Sequence, residues 1–226
     1  TGGDPVERAF LLQPLAAALA SLGNRERAAA LRSEAAALAA TFDASLQRLL
    51  EQDAAELSAR QPMNESTRIA FIGGGNMAAA LIGGLIRSGH KPQDLLAVEI
   101  DAARRERLAR DFGIKTAPAP DARLAQFDVL VLAVKPQQMK EVCTAVRPFV
   151  GQQLALSIAA GIRIADLARW LGTDRIVRAM PNTPALIGHG ISGLAAAPAV
   201  TPAQRERAAQ ILQAVGAVVW FDDEAQ

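Results

Sequence analysis

The stretch "AFIGGGNMAAALIGGL", residues 70–85, sets three consecutive glycines where a short apolar run gives way to an amphipathic segment. Glycine at such a junction costs conformational entropy, so it belongs where the backbone turns tightly or must lie bare against something else. Gly73, Gly75 and Ala78 fall at the spacing G-x-G-x-x-A, the dinucleotide fingerprint with alanine in third place. Gly73 suits the tight turn, Gly75 removes a Cβ that would hold a pyrophosphate off the backbone, and Ala78 lets helix and strand pack closely. The amides opening the helix then face the phosphates, with the helix dipole behind them.

The surroundings agree with that reading. From Thr67 onward the predicted strands are "RIAFI" (68–72), "LLAVE" (95–99), "DVLVLAV" (128–134), "QLALSIA" (153–159), "RIVRAM" (175–180), "GISGLAA" (190–196) and "AVVWF" (217–221). Helices are expected to begin near Asn76, Ala102, Gln137, Ile164 and Pro202. Strands that are apolar at nearly every position have no face for water, so they belong to a mainly parallel sheet covered on both sides. The later strands are candidates for an antiparallel edge.

Residues 1–62 follow another rule: 17 of them are Ala, none is Lys, and nothing alternates with the period of a strand. Asp4 and Pro5 read as an N-cap and first helical residue, Gly23 closes that helix, and Asn24 caps a second. In the second, Leu31, Leu38, Phe42, Leu46 and Leu49 share one stripe, either an interaction face or the seam of a helical hairpin. Gln61-Pro62 breaks the pattern, and Met63-Asn64-Glu65-Ser66 reads as a natural beginning. The expected architecture is therefore α/β: a Rossmann-like, mainly parallel sheet with helices on both faces over residues 63–226, preceded by an N-terminal helical hairpin in residues 1–62.

Composition narrows the partners. The 24 basic and 23 acidic side chains nearly cancel, and seven Phe, two Trp and no Tyr offer little for stacking on bases, so no nucleic-acid partner is expected. No apolar run is long enough to span a bilayer, and the first residues show no basic region followed by an apolar stretch, so no membrane association is expected. The lone Cys143 has no disulfide partner and no Cys neighbour at metal-ligand spacing; a reducing, cytoplasmic location and no metal are expected.

Glu99 ends the second strand at the distance where a dinucleotide fold places a carboxylate on the adenosine ribose hydroxyls. In that role it favours NADH over NADPH; a solvated strand end is the other reading. Arg104 and Arg105 follow in the next helix, within reach of a 2′-phosphate or else on its solvated face. Two further stretches stand out. "AVKPQ" (133–137) puts Lys135-Pro136 directly after a buried strand, and "RAMPNTPALIGHGISGL" (178–194) puts Pro181 and Pro184 around Asn182-Thr183, on a stiff turn. His90 and His189 both adjoin glycines with no carboxylate at fixed spacing, and are expected to be loop histidines.

Taken together, "FIGGGNMAAALIGGL", "LAVKPQ", "SIAAGI" and "RAMPNTPALIGHGI" resemble the motifs of the pyrroline-5-carboxylate reductases, in order over about residues 67–221. The resemblance implies NAD(P)H-dependent reduction of 1-pyrroline-5-carboxylate to L-proline on a Rossmann-like domain followed by a helical dimerisation domain. It implies pyrophosphate contacts at Ile72, Gly73, Gly74, Gly75, Asn76, Met77 and Ala78, with Glu99 near the adenosine ribose. Ala133, Val134, Lys135 and Pro136 would lie beside the dinucleotide, Ala159, Ala160 and Gly161 near the nicotinamide, and Met180, Pro181, Asn182 and Thr183 in the substrate-side wall. Many relatives carry a small polar residue or an Asn-Arg pair where this chain has Glu99-Ile100, which sets NADH against the family's use of NADPH.

A protonated cyclic imine is already electrophilic, so its reduction requires placement over the nicotinamide and exclusion of water more than an acid or nucleophile. No catalytic residue is assigned, and Lys135 is expected to bind rather than donate a proton, since its charge disfavours an adjacent iminium. The sequence stops at "VVWFDDEAQ", where the family's helical domain would begin, so this chain is expected to bind dinucleotide but turn over imine poorly, with a homo-oligomer expected only of the full-length protein. The alternatives are a dinucleotide-binding module without catalysis and another imine or hydroxyacid reductase of the same superfamily.

Overall fold

A computed structural model describes residues 67–224, together with Ala30. The helices and leucine stripe expected in residues 1–62 lie outside the described residues.

Four strands, β1 (Ile69–Ile72), β2 (Leu95–Val98), β4 (Val129–Leu132) and β5 (Leu154–Ser157), bury every side chain. They form the centre of an eight-stranded sheet in the order β3-β2-β1-β4-β5-β6-β7-β8, with β3 at Lys115–Ala117, β6 at Ile176–Pro181, β7 at Gly190–Ala196 and β8 at Gly216–Phe221. Pairing from β3 through β6 is parallel, and β1 sits in register with both neighbours, Ile69 beside Leu95 and Val129. β7 reverses against β6, and β8 runs parallel to β7, so two strands rather than one oppose the rest at that edge.

The connecting helices are α1 (Asn76–Arg87), α2 (Ala102–Phe112), α3 (Met139–Val146), α4 (Ile164–Leu171) and α5 (Pro202–Gln213). α1 packs against α2 and α5, while α3 packs against α4. Right-handed crossovers leading away from β1 in opposite directions place these two groups on opposite faces of the sheet. Where α1 crosses the end of α5, Gly84 lies so close to the Ala214 carbonyl that a Cβ there would overlap it. α5 carries the clearest local start signal: Thr201 and Gln204 form a reciprocal capping box ahead of Pro202.

Two sequence expectations need adjusting. β3 was not anticipated, because three residues beginning with an exposed lysine carry no apolar period. The helix expected from Gln137 starts at Met139, preceded by a 3-10 turn at Pro136–Gln138 that the proline initiates.

Candidate functional site

β1 leads to β2 on one side, while β4 lies on its other side, so the strand order reverses between β1 and β4 although the two strands run parallel. Crevices for ligands open at such a point, beyond the carboxyl ends of the strands. Here that position holds a cleft of about 520 Å³ formed by the three glycines, the exit of β2 from Val98 to Asp101, Ala133 to Lys135 after β4, and one side of α3.

Each glycine has a different reason to be one. Gly73 has φ +104°, and a Cβ on it would come within 2.6 Å of the Ala133 carbonyl oxygen. Its amide donates to the Val98 carbonyl at 2.8 Å, tying the turn to β2. A Cβ on Gly74 would come within 2.8 Å of Leu108 Cδ1. Gly75 has ordinary extended backbone, and a Cβ there would meet nothing within 4 Å. The space in front of Gly75 is open, and α1 begins there with no capping side chain and no acidic residue in its first turn. Helix-start amides left without protein acceptors are suited to an anion. Asn76 is exposed, Met77 half-buried and Ala78 buried against the strand, as the fingerprint requires.

Glu99 occupies the end of β2 but is 7% exposed. Its Oε2 accepts the Gly74 amide at 2.8 Å and its Oε1 the Asp101 amide at 2.9 Å. Asp101 in turn caps α2 by accepting from the Arg104 amide. The Arg104 guanidinium, 4.0 Å from Glu99 Oε2, stands at the rim of the cleft, whereas Arg105 folds back to donate to the carbonyls of Glu99 and Ile100.

The remaining predicted residues lie at the same end of the sheet, further along it. Lys135 is exposed and lines the cleft with Ala133 and Val134; Pro136 begins the 3-10 turn beside them. Ala159, Ala160 and Gly161 form the turn after β5, with Ala159 buried and Gly161 at φ +74°. Met180 and Pro181 close β6. Met180 borders a separate hollow of about 450 Å³ with Arg178, Phe221 and Glu224. Asn182 accepts the Ile191 amide through its side-chain oxygen at 3.0 Å, and Thr183 opens a 3-10 helix to Ile187. Glu224 caps α4 by accepting the Ile164 amide at 2.9 Å, and Arg178 lies 3.4 Å from the same oxygen.

Sequence reasoning missed Asp101, Pro118, Pro120 and the α3 residues Glu141 and Val142 as cleft residues. Asp101 was findable, as an Asp preceding the helical Ala102 is a capping signal. The prolines were not, because they follow the unanticipated β3.

Both histidines lie in loops, but His90 is buried at the far end of the sheet, between α1 and β2, with neither ring nitrogen hydrogen-bonded. Burial lowers its pKa from the ordinary 6.5, opposed by the Asp94 charge and the Thr67 backbone. A larger hollow, about 700 Å³, also lies at the amino ends of β4 and β5, bordered by Phe127, Asp128 and Phe149. It is remote from the glycine turn. Among the described residues no helix is long and apolar enough to cross a membrane, and no group of three His, Cys, Asp or Glu side chains is placed to hold a metal.

Residues 68–161 match the family described as NADP oxidoreductase, coenzyme F420-dependent. Over 161 residues the chain is 51% identical to a pyrroline-5-carboxylate reductase from Pseudomonas aeruginosa, covering 70% of this chain and 59% of that protein. The solved pyrroline-5-carboxylate reductase of Coxiella burnetii superposes with a TM-score of 0.68 at 37% identity, over 71% of this chain and 61% of that one. The Plasmodium falciparum pyrroline carboxylate reductase, solved with NADP bound, superposes with a TM-score of 0.61 at 25% identity, over 70% and 58% of the two chains. The chain thus spans about 60% of the length of the curated relatives it matches. With this fold, this glycine turn and this level of identity, the matched part of the chain is an NAD(P)-binding domain of the pyrroline-5-carboxylate reductase kind.

Proposed function

We propose that this chain serves the NAD(P)H-dependent reduction of 1-pyrroline-5-carboxylate to L-proline, with residues 63–226 as the dinucleotide-binding domain. The observation that carries the reading is the open ground in front of Gly75, at a helix start with no protein cap and at the switch point of the sheet. The 51% identity to the Pseudomonas aeruginosa reductase gives that site its substrate class.

The residues fit a dinucleotide. Ile72 to Gly75, Glu99 and Ala133 to Lys135 line one cleft, where the turn from Ile72 to Ala78 would hold the pyrophosphate, Glu99 the adenosine ribose, and Ala133 to Pro136 the flank of the dinucleotide. The turn Ala159 to Gly161 would lie toward the nicotinamide end, and Met180 to Thr183 would wall the substrate. When bound, the cofactor supplies the hydride that the imine carbon accepts. The chain's own part is placement: helix-start amides would hold the anionic diphosphate, and apolar cleft residues such as Val134 would keep water from the reacting face. Lys135 lends positive potential to an anionic ligand and moves no proton.

A carboxylate at the end of β2 disfavours a 2′-phosphate, which inclines the site toward NADH, while Arg104 at the rim provides a counter-charge for NADPH. Calorimetric titration with both cofactors tests the reading. Wild type is expected to bind, and Gly75→Asp, which puts a carboxylate into the diphosphate position, is expected to abolish binding. Failure of wild type to bind either cofactor overturns the proposal. Assay of the chain with the imine and each cofactor tests the expectation that its turnover is poor.

A further inference from the structure

The glycine turn has almost nothing of its own to hold it. Three residues without side chains lose more conformational freedom on ordering than any others, and Gly75, where α1 starts, supplies no cap. Two hydrogen bonds anchor the turn to β2: the backbone bond from Gly73 to Val98 and the bond from the Gly74 amide to Glu99 Oε2. Among the described residues the second is the sole side-chain hydrogen bond that reaches residues 73–75. Glu99 can make it because its carboxylate is turned inward, 7% exposed, and is braced on its other oxygen by the Asp101 amide.

We propose that Glu99 is a positioning residue for the cofactor diphosphate, acting through Gly74, in addition to any contact it makes with the ribose. This rests on the dinucleotide reading above. The carboxylate pulls the Gly74 amide toward β2, and that fixes the backbone so that the following helix-start amides converge on the open space at Gly75. A turn held in its binding conformation beforehand spends less of the interaction energy on ordering. A hydrogen bond from a backbone amide to a buried carboxylate is also among the stronger kinds. With both oxygens already engaged by amides, Glu99 presents less free negative charge to a 2′-phosphate than an exposed carboxylate would.

Adenine nucleotides of different length separate the two roles. AMP carries the ribose but no diphosphate, whereas ADP carries both. Titration of wild type, Glu99→Ala and Glu99→Gln with AMP, ADP, NADH and NADPH is the test. Removing the clamp in Glu99→Ala is expected to weaken ADP, NADH and NADPH together by about tenfold, the loss of one charge-assisted hydrogen bond, and AMP by much less. Glu99→Gln, which keeps a carbonyl oxygen for the Gly74 amide, is expected to recover most of that affinity. The Gly74 amide resonance, read by NMR without ligand, is expected to move in the Ala variant and stay near its place in the Gln variant. Equal loss of AMP and ADP, or loss of NADH with NADPH strengthened and ADP unchanged, would show a ribose reader alone and overturn the proposal. Absence of any wild-type binding instead removes the dinucleotide reading on which it stands.

Discussion

β4, reading VLVL, buries all four of its side chains, whereas β8, reading GAVVWF, alternates half-buried with exposed positions along its whole length. The two strands are of similar composition and differ in what covers them. β4 is central in the parallel run, whose crossovers set α1, α2 and α5 on one face of the sheet and α3 and α4 on the other. β7 enters by reversing at the turn after β6; α4 still packs on β6, but among the described residues β7 and β8 have α5 as their main helical cover. On the covered face Trp220 meets the Arg205 guanidinium, 4.5 Å from its ring. On the other face Met180, Ile191, Val219 and Phe221 remain exposed. The ligand cleft belongs to the doubly covered part, where both sides of the sheet are rigid enough to hold a bare glycine turn in place.

The sharpest way to break this contrast is to truncate one apolar side chain in each part. Leu130→Ala, fully buried in β4, is expected to cost about 2–5 kcal/mol in urea or guanidinium unfolding, as expected for a core cavity. A loss below 1 kcal/mol would mean the parallel core is looser than its burial implies.

Next in size is Gly84→Ala, where the new Cβ meets the Ala214 backbone rather than a movable side chain. Separating α1 from α5 is expected to cost about 1–3 kcal/mol, measured in the same unfolding experiment. An unchanged midpoint would show that this helix crossing has slack.

The doubly covered part also contains its own exception, His90, buried without a hydrogen-bond partner. Because burial holds its folded pKa below the ordinary 6.5, the unfolded chain takes up a proton first as pH falls. Stability is therefore expected to be fully present above pH 6.5 and to be lost as pH falls through the depressed folded value. His90→Phe should remove that component of the acid dependence. An identical pH profile for wild type and variant would place the acid sensitivity elsewhere.

The smallest effect is expected from Val219→Ala on the open face of β8, 46% exposed, which should stay within about 0.5 kcal/mol of wild type. A cost like that of Leu130→Ala would mean that something covers this face in solution.

Much of this was readable beforehand, for identifiable reasons. Continuous apolar runs located β1, β2, β4 and β5 to within one or two residues, since a strand buried on both sides admits no polar position. The GxGxxA spacing located the turn, because only glycine tolerates φ +104° against the Ala133 carbonyl. β3 escaped because an edge strand of three residues beginning at Lys115 needs no pattern. Pro118 and Pro120, which follow it in the cleft, escaped with it.

Local order along the chain thus determined which segments are strands and helices, where the backbone must be bare, and which loops carry a ligand's worth of unusual residues. These are short-range properties, written in the periodicity and torsional demands of neighbouring residues. Tertiary structure decided which way the side chains at those loops turn. Glu99 stands in the sequence as a carboxylate at a strand tip, free to face ribose or water. Only when β1 and β2 lie side by side in register does its Oε2 come within 2.8 Å of the Gly74 amide, 25 residues away. That pairing depends on sheet geometry, which no stretch of sequence contains by itself.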